Sequence, residues 1–543
     1  MIRGSIDKID LGTSFFEDII SRESFYVDKS GFIERFLNNT NKVILIARQR
    51  RLGKSLNMDM LRCFLTDQKD NRALFSGLYV EKSPVWPKAH SAPVFYFSFK
   101  NMSAKNYKYK LFRQVVTAFN PYFIKNALSE NDKSIWDDYL NAKGNDSDGL
   151  LLLTELVFNL TGKKSYILID EYDKLLRDNY QADEYDDVFE YVKLFLSAGL
   201  KDNPFIEKGL MAGVLRISYE GMLSDLNNVV TYDVFNDDFF TDDYGFTEEE
   251  IDEIMALTHI DKDKLRLWYN GVKINQKAIY NVYSVSSFLQ TGKYGCYWGN
   301  SRLLDMIVDM MNDDRKNTLM ELLNGGQKEV IADTRISLKK LWRVRDDRSF
   351  YSFLIQGGYL AMDSMDSQKG TVKISIPNKE LIQVWSDSIL SAFYPDEIKI
   401  KTMFDNADNT NLLSKDIENF LSDSMSYYDL SVHKGEDAKK VWERVYHIFI
   451  LGILSAYSGA SYRKPISEGE GGDGRYDVLY QRDDVNYIFE FKACEEASQM
   501  EKQAEMALRQ IDIKRYGAGL KADQHVVKVG ISLFGKQCKV RCE

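Results

Sequence analysis

The stretch "KVILIARQRRLGKSLNMDMLRCFL" (42–65) constrains the fold of this chain more tightly than any other. An apolar, β-branched run leads into a loop that ends Gly53-Lys54-Ser55, and Leu56, Met60, Leu61 and Phe64 then recur on one side of a helix. Strand, loop and helix in this order make a phosphate cradle: loop N–H groups and the positive helix end face the anion, Lys54 reaches the β/γ phosphates and the Ser55 hydroxyl ligates Mg²⁺. The usual pattern is G-x-x-x-x-G-K-[ST], and counting back from Gly53 puts Arg48 where the first glycine should stand.

Context supports a nucleotide site. Runs such as "KVILIA" (42–47), "APVFYFSF" (92–99), "SYILID" (165–170) and "GLMAGVL" (209–215) alternate with helical stretches, which predicts an α/β domain with a parallel sheet covered on both faces. "YILIDEYDKLL" supplies Asp170, suited to hold Mg²⁺, and Glu171, placed to orient or deprotonate the attacking water. Arg216 follows another strand, where it can neutralise γ-phosphate charge or simply bridge loop carboxylates. Arg50 and Arg51 are open between nucleotide, a facing subunit and offsetting the acidic surface.

Bulk properties set limits. At about 150 residues per domain, 543 residues suggest three or four folding units, and 44% hydrophobic content can fill their cores. A net charge of -10 means that a polyanionic partner must meet a local basic surface. The five cysteines are too few and scattered for a disulfide framework, which predicts a reducing, cytosolic compartment. Cys538 and Cys542 lack a second Cys/His pair near them in sequence to complete a zinc site. The N-terminus lacks a secretory apolar core, and "VYHIFILGILSAYSGA" (445–460) is shorter than a membrane span and interrupted by His447, so it reads as a buried helix and no membrane is expected.

Four regions are expected: an ATPase-type α/β domain over 1–245, a helical lid over 246–329, a winged-helix-like module over 330–385 and a second α/β domain over 386–543. The lid begins at Thr247 and Glu250, which have capping-box spacing. In the last region, alternation in "YIFEFKA" puts Ile488, Glu490 and Lys492 on one face and Tyr487, Phe489 and Phe491 on the other. A hairpin can bring Asp477 beside Glu490, so that the two carboxylates hold Mg²⁺ while Lys492 orients water or stabilises phosphate charge. "EGEGGDGRYD" reads as a glycine-rich loop. Alternating charges on a solvated strand face are the bland alternative. His447 suits a packed core role better than ligation.

"FFEDIISRESFYVDKSGFIERFL", "ARQRRLGKSL", "YILIDEYDKLL", "AGVLRISYEGMLSDLNNVV", "YGFTEEEI", "WYNGVKI" and "IYNVYSVSSFL" occur in the order found in bacterial AAA-ATPase-like proteins with a C-terminal PD-(D/E)XK nuclease domain, which the chain resembles over nearly its whole length. In that family the loop commonly reads R-P-R-R-x-G-K-S, so Arg48 matches it and Gln49 departs from it; "YNVYSVSSF" likewise lacks the usual proline. The resemblance implies ATP bound through Arg48, Gly53, Lys54, Ser55, Asp170 and Arg216, with Mg²⁺ on Ser55 and Asp170 and Glu171 catalytic. For the nuclease it implies Asp477, Glu490, Lys492 and Gln510 as catalytic residues, Gln510 and Tyr516 forming a Q-x5-Y feature. There the metal, Mg²⁺ or Mn²⁺, sits on Glu443, Asp477 and Glu490. The implied partner is a nucleic acid, DNA ahead of RNA, and a homo-oligomer fits because AAA-like sites are often completed by a neighbour's arginine. Two other readings remain: an ATP-dependent nucleic-acid-binding switch with an inactive nuclease fold, and an NTPase scaffold that ignores polynucleotides.

Overall fold

Strands buried over their full length require cover on both faces, and two runs of the N-terminal half meet that condition. Every residue of β1 (Val43–Ala47) and β3 (Ser165–Asp170) is buried, whereas β2 (Val94–Ser98) alternates, as an edge strand does. With β4 (Ile206–Gly213) and β5 (Val229–Tyr232) they form a five-stranded sheet in the order β2-β3-β4-β1-β5, every pair parallel. The computed structural model describes residues 2–385 except 125–126, 218–226, 259, 275–276, 299–301, 324–325, 333–335, 337, 339 and 367, and beyond them 404, 409–424, 439, 442–443, 445–447, 449–451, 454, 465–482, 485–520, 525–535 and 537–543.

Register decides where a site can form. Ala47 pairs with Gly213, Asp170 with Ala212 and Ser98 with Asp170, so the loops after four strands leave the sheet along one edge. That carboxyl edge is where open α/β sheets bind ligands. Helix α1 (Lys54–Leu65) rises directly from the loop after β1. β5 escaped the sequence reading because "VVTY" is short and half-exposed at the sheet's other border.

The chain divides into two compact units, Met1–Tyr297 with Glu329–Asn378, and Trp298–Lys328 with Lys379–Glu543. In the first, α2 (Glu248–Thr258), α3 (Lys262–Tyr269) and α4 (Val282–Thr291) bury Ile251, Ile254, Leu265, Tyr269 and Val285 against Phe25 and Val27 from the N-terminal segment. The capping box at the start of α2 is formed: Thr247 N–H donates to Glu250 Oε2 (2.9 Å) and Glu250 N–H to Thr247 Oγ1 (3.3 Å). Further on come β6 (Lys328–Ile331), α5 (Asp347–Gly357), β7 (Ala361–Asp366) and β8 (Thr371–Ser375), the strands ordered β6-β8-β7, with β7 and β8 an antiparallel hairpin.

The second unit carries β9 (Ile466–Gly471), β10 (Gly474–Arg482), β11 (Val485–Ala493), β12 (His525–Phe534) and β13 (Gln537–Cys542), ordered as in the chain and antiparallel except for the parallel pair β11–β12. Helix α6 (Met500–Ile513) makes the crossover between that parallel pair and buries Ala504, Ala507 and Ile511, with Leu508 half-buried. The stretch 468–477, expected as a loop, is strand on both sides of a turn at Gly472 and Asp473. Its glycines admit an aromatic ring: a Cβ on Gly469 would strike the Tyr476 side chain. Much of 445–460 lies outside the described residues; those described are helical, with Val445, Tyr446, Phe449 and Leu454 buried. Among the described residues no helix is long and apolar enough to cross a membrane.

Candidate functional site

The loop after β1 is wound around its own lysine. Gly53 has φ +86°, a conformation that side-chain-bearing residues avoid, and it turns the chain into α1. Lys54 Nζ donates to the carbonyl oxygens of Arg48 (2.8 Å) and Gln49 (2.6 Å). Burial lowers its pKa to about 8, against the opposing pull of Asp173, Asp170 and Glu171. Ser55 Oγ donates to Asp170 Oδ2 (2.7 Å), as does the Tyr96 hydroxyl (3.0 Å), while Asp170 Oδ1 is buried without a hydrogen bond. Hydroxyl and carboxylate oxygens converging beside an unsatisfied buried acceptor form a donor set suited to Mg²⁺. Glu171 follows with φ +53°, a left-handed backbone that costs a non-glycine residue about 1 kcal/mol or more.

The adjoining cavity, about 440 Å³, has two chemically distinct walls. Arg50, Gly53, Lys54, Ser55 and Glu171 line one; Phe25, Val27, Phe246, Val282 and Tyr283 belong to the other. The apolar wall was not anticipated as part of a site. Its only sequence signal was "SFYVD", an apolar and aromatic run upstream of the phosphate loop. Lys100 and Tyr96 were missed too, because their approach to Asp170 depends on β2 pairing with β3.

The arginines separate into different tasks. Arg48, expected to contact nucleotide, is instead 2% exposed, ion-paired with Asp237, and donates to the carbonyl oxygens of Ala47 (3.0 Å) and Tyr232 (3.2 Å). The guanidinium therefore ties the mouth of the loop to the end of β5, a task that a glycine there could not perform. Arg216, expected at the γ phosphate, instead reaches Asp233 at 3.4 Å and does not line the cavity, which is the loop-bridging alternative. Arg51 lies over the Tyr283 ring at 3.9 Å and donates to Tyr297 O (2.5 Å). Arg50 lines the cavity; burial and neighbouring Arg177 lower its pKa, while Tyr359, Glu171 and Asp173 oppose the shift.

In the second unit Val478 pairs with Phe489, which puts Asp477 beside Glu490 at the next position of the ladder. Glu490, Lys492, Gln510 and Tyr516 join in one chain of hydrogen bonds. Lys492 Nζ donates to Gln510 Oε1 (2.6 Å), and Gln510 Nε2 donates to Glu490 Oε1 and to the Tyr516 hydroxyl (3.1 Å). Asp477 Oδ2 accepts from Phe491 N–H (2.8 Å) and Glu443 Oε1 from Ala493 N–H (2.6 Å), so both acids grip the backbone of β11. Burial, then Asp477 and Glu443, push the Glu490 pKa up to about 8 despite Lys492. Its Oε2 is buried with no hydrogen bond, and a divalent cation would satisfy that oxygen and offset the repulsion among the acids. Even so, among the described residues no group of three or more His, Cys, Asp or Glu is gathered as a metal cage. His447 is bonded to Ser467 Oγ (3.0 Å) and stacked on Phe491, a packing role.

Residues 10–223 match the family described as predicted AAA-ATPase, and residues 441–543 match the PD-(D/E)XK nuclease superfamily. A relative described as "Uncharacterized protein in vnfD 5'region", from Azotobacter chroococcum mcd 1, is 24% identical over 403 residues, 72% of either chain. A solved Signal Transduction ATPase with Numerous Domains protein with a tetratricopeptide repeat sensor, from Pyrococcus horikoshii, is 14% identical with a TM-score of 0.25. That alignment covers 79% of this chain and 54% of the other, so the chain spans about half that protein's length. Residues 10–223, with a phosphate loop and an acidic strand end on one parallel sheet, thus form a predicted AAA-ATPase-like domain, and residues 441–543, with an acid–acid–lysine cluster on a mixed sheet, form a C-terminal PD-(D/E)XK nuclease superfamily domain.

Proposed function

We propose that the chain binds and hydrolyses ATP in its first unit and cleaves nucleic-acid phosphodiester bonds in its second, the first activity controlling the second. The observation that carries the nucleotide half is the convergence of Lys54, Ser55, Asp170 and Glu171 on the carboxyl edge of one sheet. The loop N–H groups and Lys54 bind the β/γ phosphates, Ser55 and Asp170 hold Mg²⁺, and Arg50 faces the terminal phosphate from the cavity wall. Glu171 takes the proton of the attacking water. The apolar wall excludes water from one side of the base.

In the second unit Asp477 and Glu490, with Glu443 behind them, hold Mg²⁺ or Mn²⁺. Lys492 orients the attacking water or stabilises charge on the phosphate, and Gln510 fixes the lysine and glutamate relative to each other. A divalent cation bound at either place supplies Lewis-acid neutralisation of phosphate charge. DNA is the favoured substrate over RNA, in the cytoplasm, and a homo-oligomer remains part of the reading. A winged-helix role for 330–385 rests on α5 followed by the β7–β8 hairpin.

The test uses intact protein with labelled DNA and RNA. Lys54→Ala abolishes nucleotide binding, and Glu171→Gln slows turnover about 10²- to 10⁴-fold with binding retained. Asp477→Ala and Lys492→Ala each remove metal-dependent cleavage. A second reading, a switch that binds nucleic acid without cutting, draws on the protein donors already held by Asp477, Glu443 and Glu490. It predicts retained binding and no cleavage in the unaltered protein with either metal.

A further inference from the structure

Asp170 is fully buried, and a buried carboxylate requires a positive partner or protonation. Lys54, the obvious candidate, has its Nζ turned onto the loop carbonyls of Arg48 and Gln49. The partner within reach is Lys100. It lies two residues past Ser98, the position of β2 that pairs with Asp170, so its stem runs across the carboxyl edge of the sheet. Its Nζ is 3.2 Å from Asp170 Oδ2, 3.2 Å from Ser55 Oγ and 4.0 Å from Glu171 Oε1.

We propose that Lys100 is a tethered cation, holding the Ser55–Asp170 oxygens without metal and giving way to Mg²⁺ when metal and nucleotide bind. This rests on the nucleotide reading above. An ammonium within hydrogen-bonding distance of both oxygens fills the space in which Mg²⁺ would bond them at about 2.1 Å, so the two cations exclude each other. The lysine can leave: its side chain is 39% exposed and carries four rotatable methylenes, while that of Asp170 is 1% exposed. Metal-free nucleotide still binds, because Lys100 supplies part of the charge that Mg²⁺ supplies in its place.

The experiment measures binding of a fluorescent ATP analogue to the intact chain in excess Mg²⁺ and in EDTA, for the unaltered protein, Lys100→Gln and Lys100→Arg. The ratio of the two dissociation constants, EDTA over Mg²⁺, rises about tenfold in Lys100→Gln and stays within about twofold of the unaltered protein in Lys100→Arg. Near-ultraviolet circular dichroism establishes that both variants are folded. An unchanged or smaller ratio in Lys100→Gln overturns the inference, and so does equal weakening in both media, which marks a phosphate ligand. A Lys100→Arg ratio matching Lys100→Gln overturns it as well, since charge would not be the cause. If the unaltered protein binds no analogue in either medium, the nucleotide reading itself falls, an outcome separate from all of these.

Discussion

Glu490 carries a conflict between burial and charge. With Asp477 and Glu443 as neighbours, its carboxyl binds a proton up to about pH 8 in the folded chain, against an ordinary value near 4.5. The folded state therefore holds a proton that the unfolded chain has released across that interval. The resulting stabilisation is complete below about pH 4.5 and disappears as pH rises through about 8. Thermal melting in EDTA is expected to show the midpoint of the second unit falling between pH 5 and 8, and Glu490→Gln is expected to flatten that fall. An unaltered slope in the variant places the titration elsewhere. Residues differ in how far sequence exposes such roles. The convergence of Lys54, Ser55 and Asp170 was legible because backbone geometry dictates their placement within short motifs. The side-chain directions of Arg48 and Arg216 were not, since each is set by an acid about 190 or 17 residues downstream, Asp237 and Asp233.

At the level of elements, two contacts decide whether the motifs become sites. Arg48 and Asp237, both buried, join the end of β1 to the segment after β5. Removing one partner of a buried ion pair strands the other, at about 3–5 kcal/mol. Asp237→Ala is accordingly expected to lower the denaturation midpoint of the first unit and weaken nucleotide binding, measured by urea titration with and without ATP. In the second unit Gly530 pairs with Glu490 across β12 and β11. A Cβ there would collide with Ala504 O and lie 2.9 Å from Leu508 N, so the glycine lets α6 settle close enough for Gln510 to reach Glu490 and Lys492. Gly530→Val is expected to cost about 1–3 kcal/mol and to reduce cleavage while leaving ATP turnover intact, read from parallel nuclease and phosphate-release assays. Sequence conveyed the parallel strands and crossover helix through unbroken or periodic apolar runs. It hid the β9–β10 hairpin, because glycines that admit Tyr476 look the same as glycines that loosen a loop.

Across the whole molecule, chain path matters more than the order of motifs. The backbone passes between the two compact units at 297/298, 328/329 and 378/379, so three covalent crossings connect the first unit to the second. A single flexible tether would let the units act independently, and the three crossings are the observation on which an expected coupling between them rests. The segment 329–378, with its hairpin, returns to the first unit and is followed at once by the chain that leads into the second. Nucleotide state is thus expected to set cleavage rate. Phosphodiester cleavage by the intact chain should change at least several-fold on addition of ATP, and Lys54→Ala should remove that response. Glu171→Gln, which binds without turning over, should hold cleavage at the ATP-bound level after nucleotide would otherwise be spent. In the reverse direction, Asp477→Ala should leave ATP turnover without nucleic acid unchanged, because the described residues that line the cavity beside Lys54 belong to the first unit. Cleavage indifferent both to ATP and to Lys54→Ala would mean that the crossings join two independent enzymes.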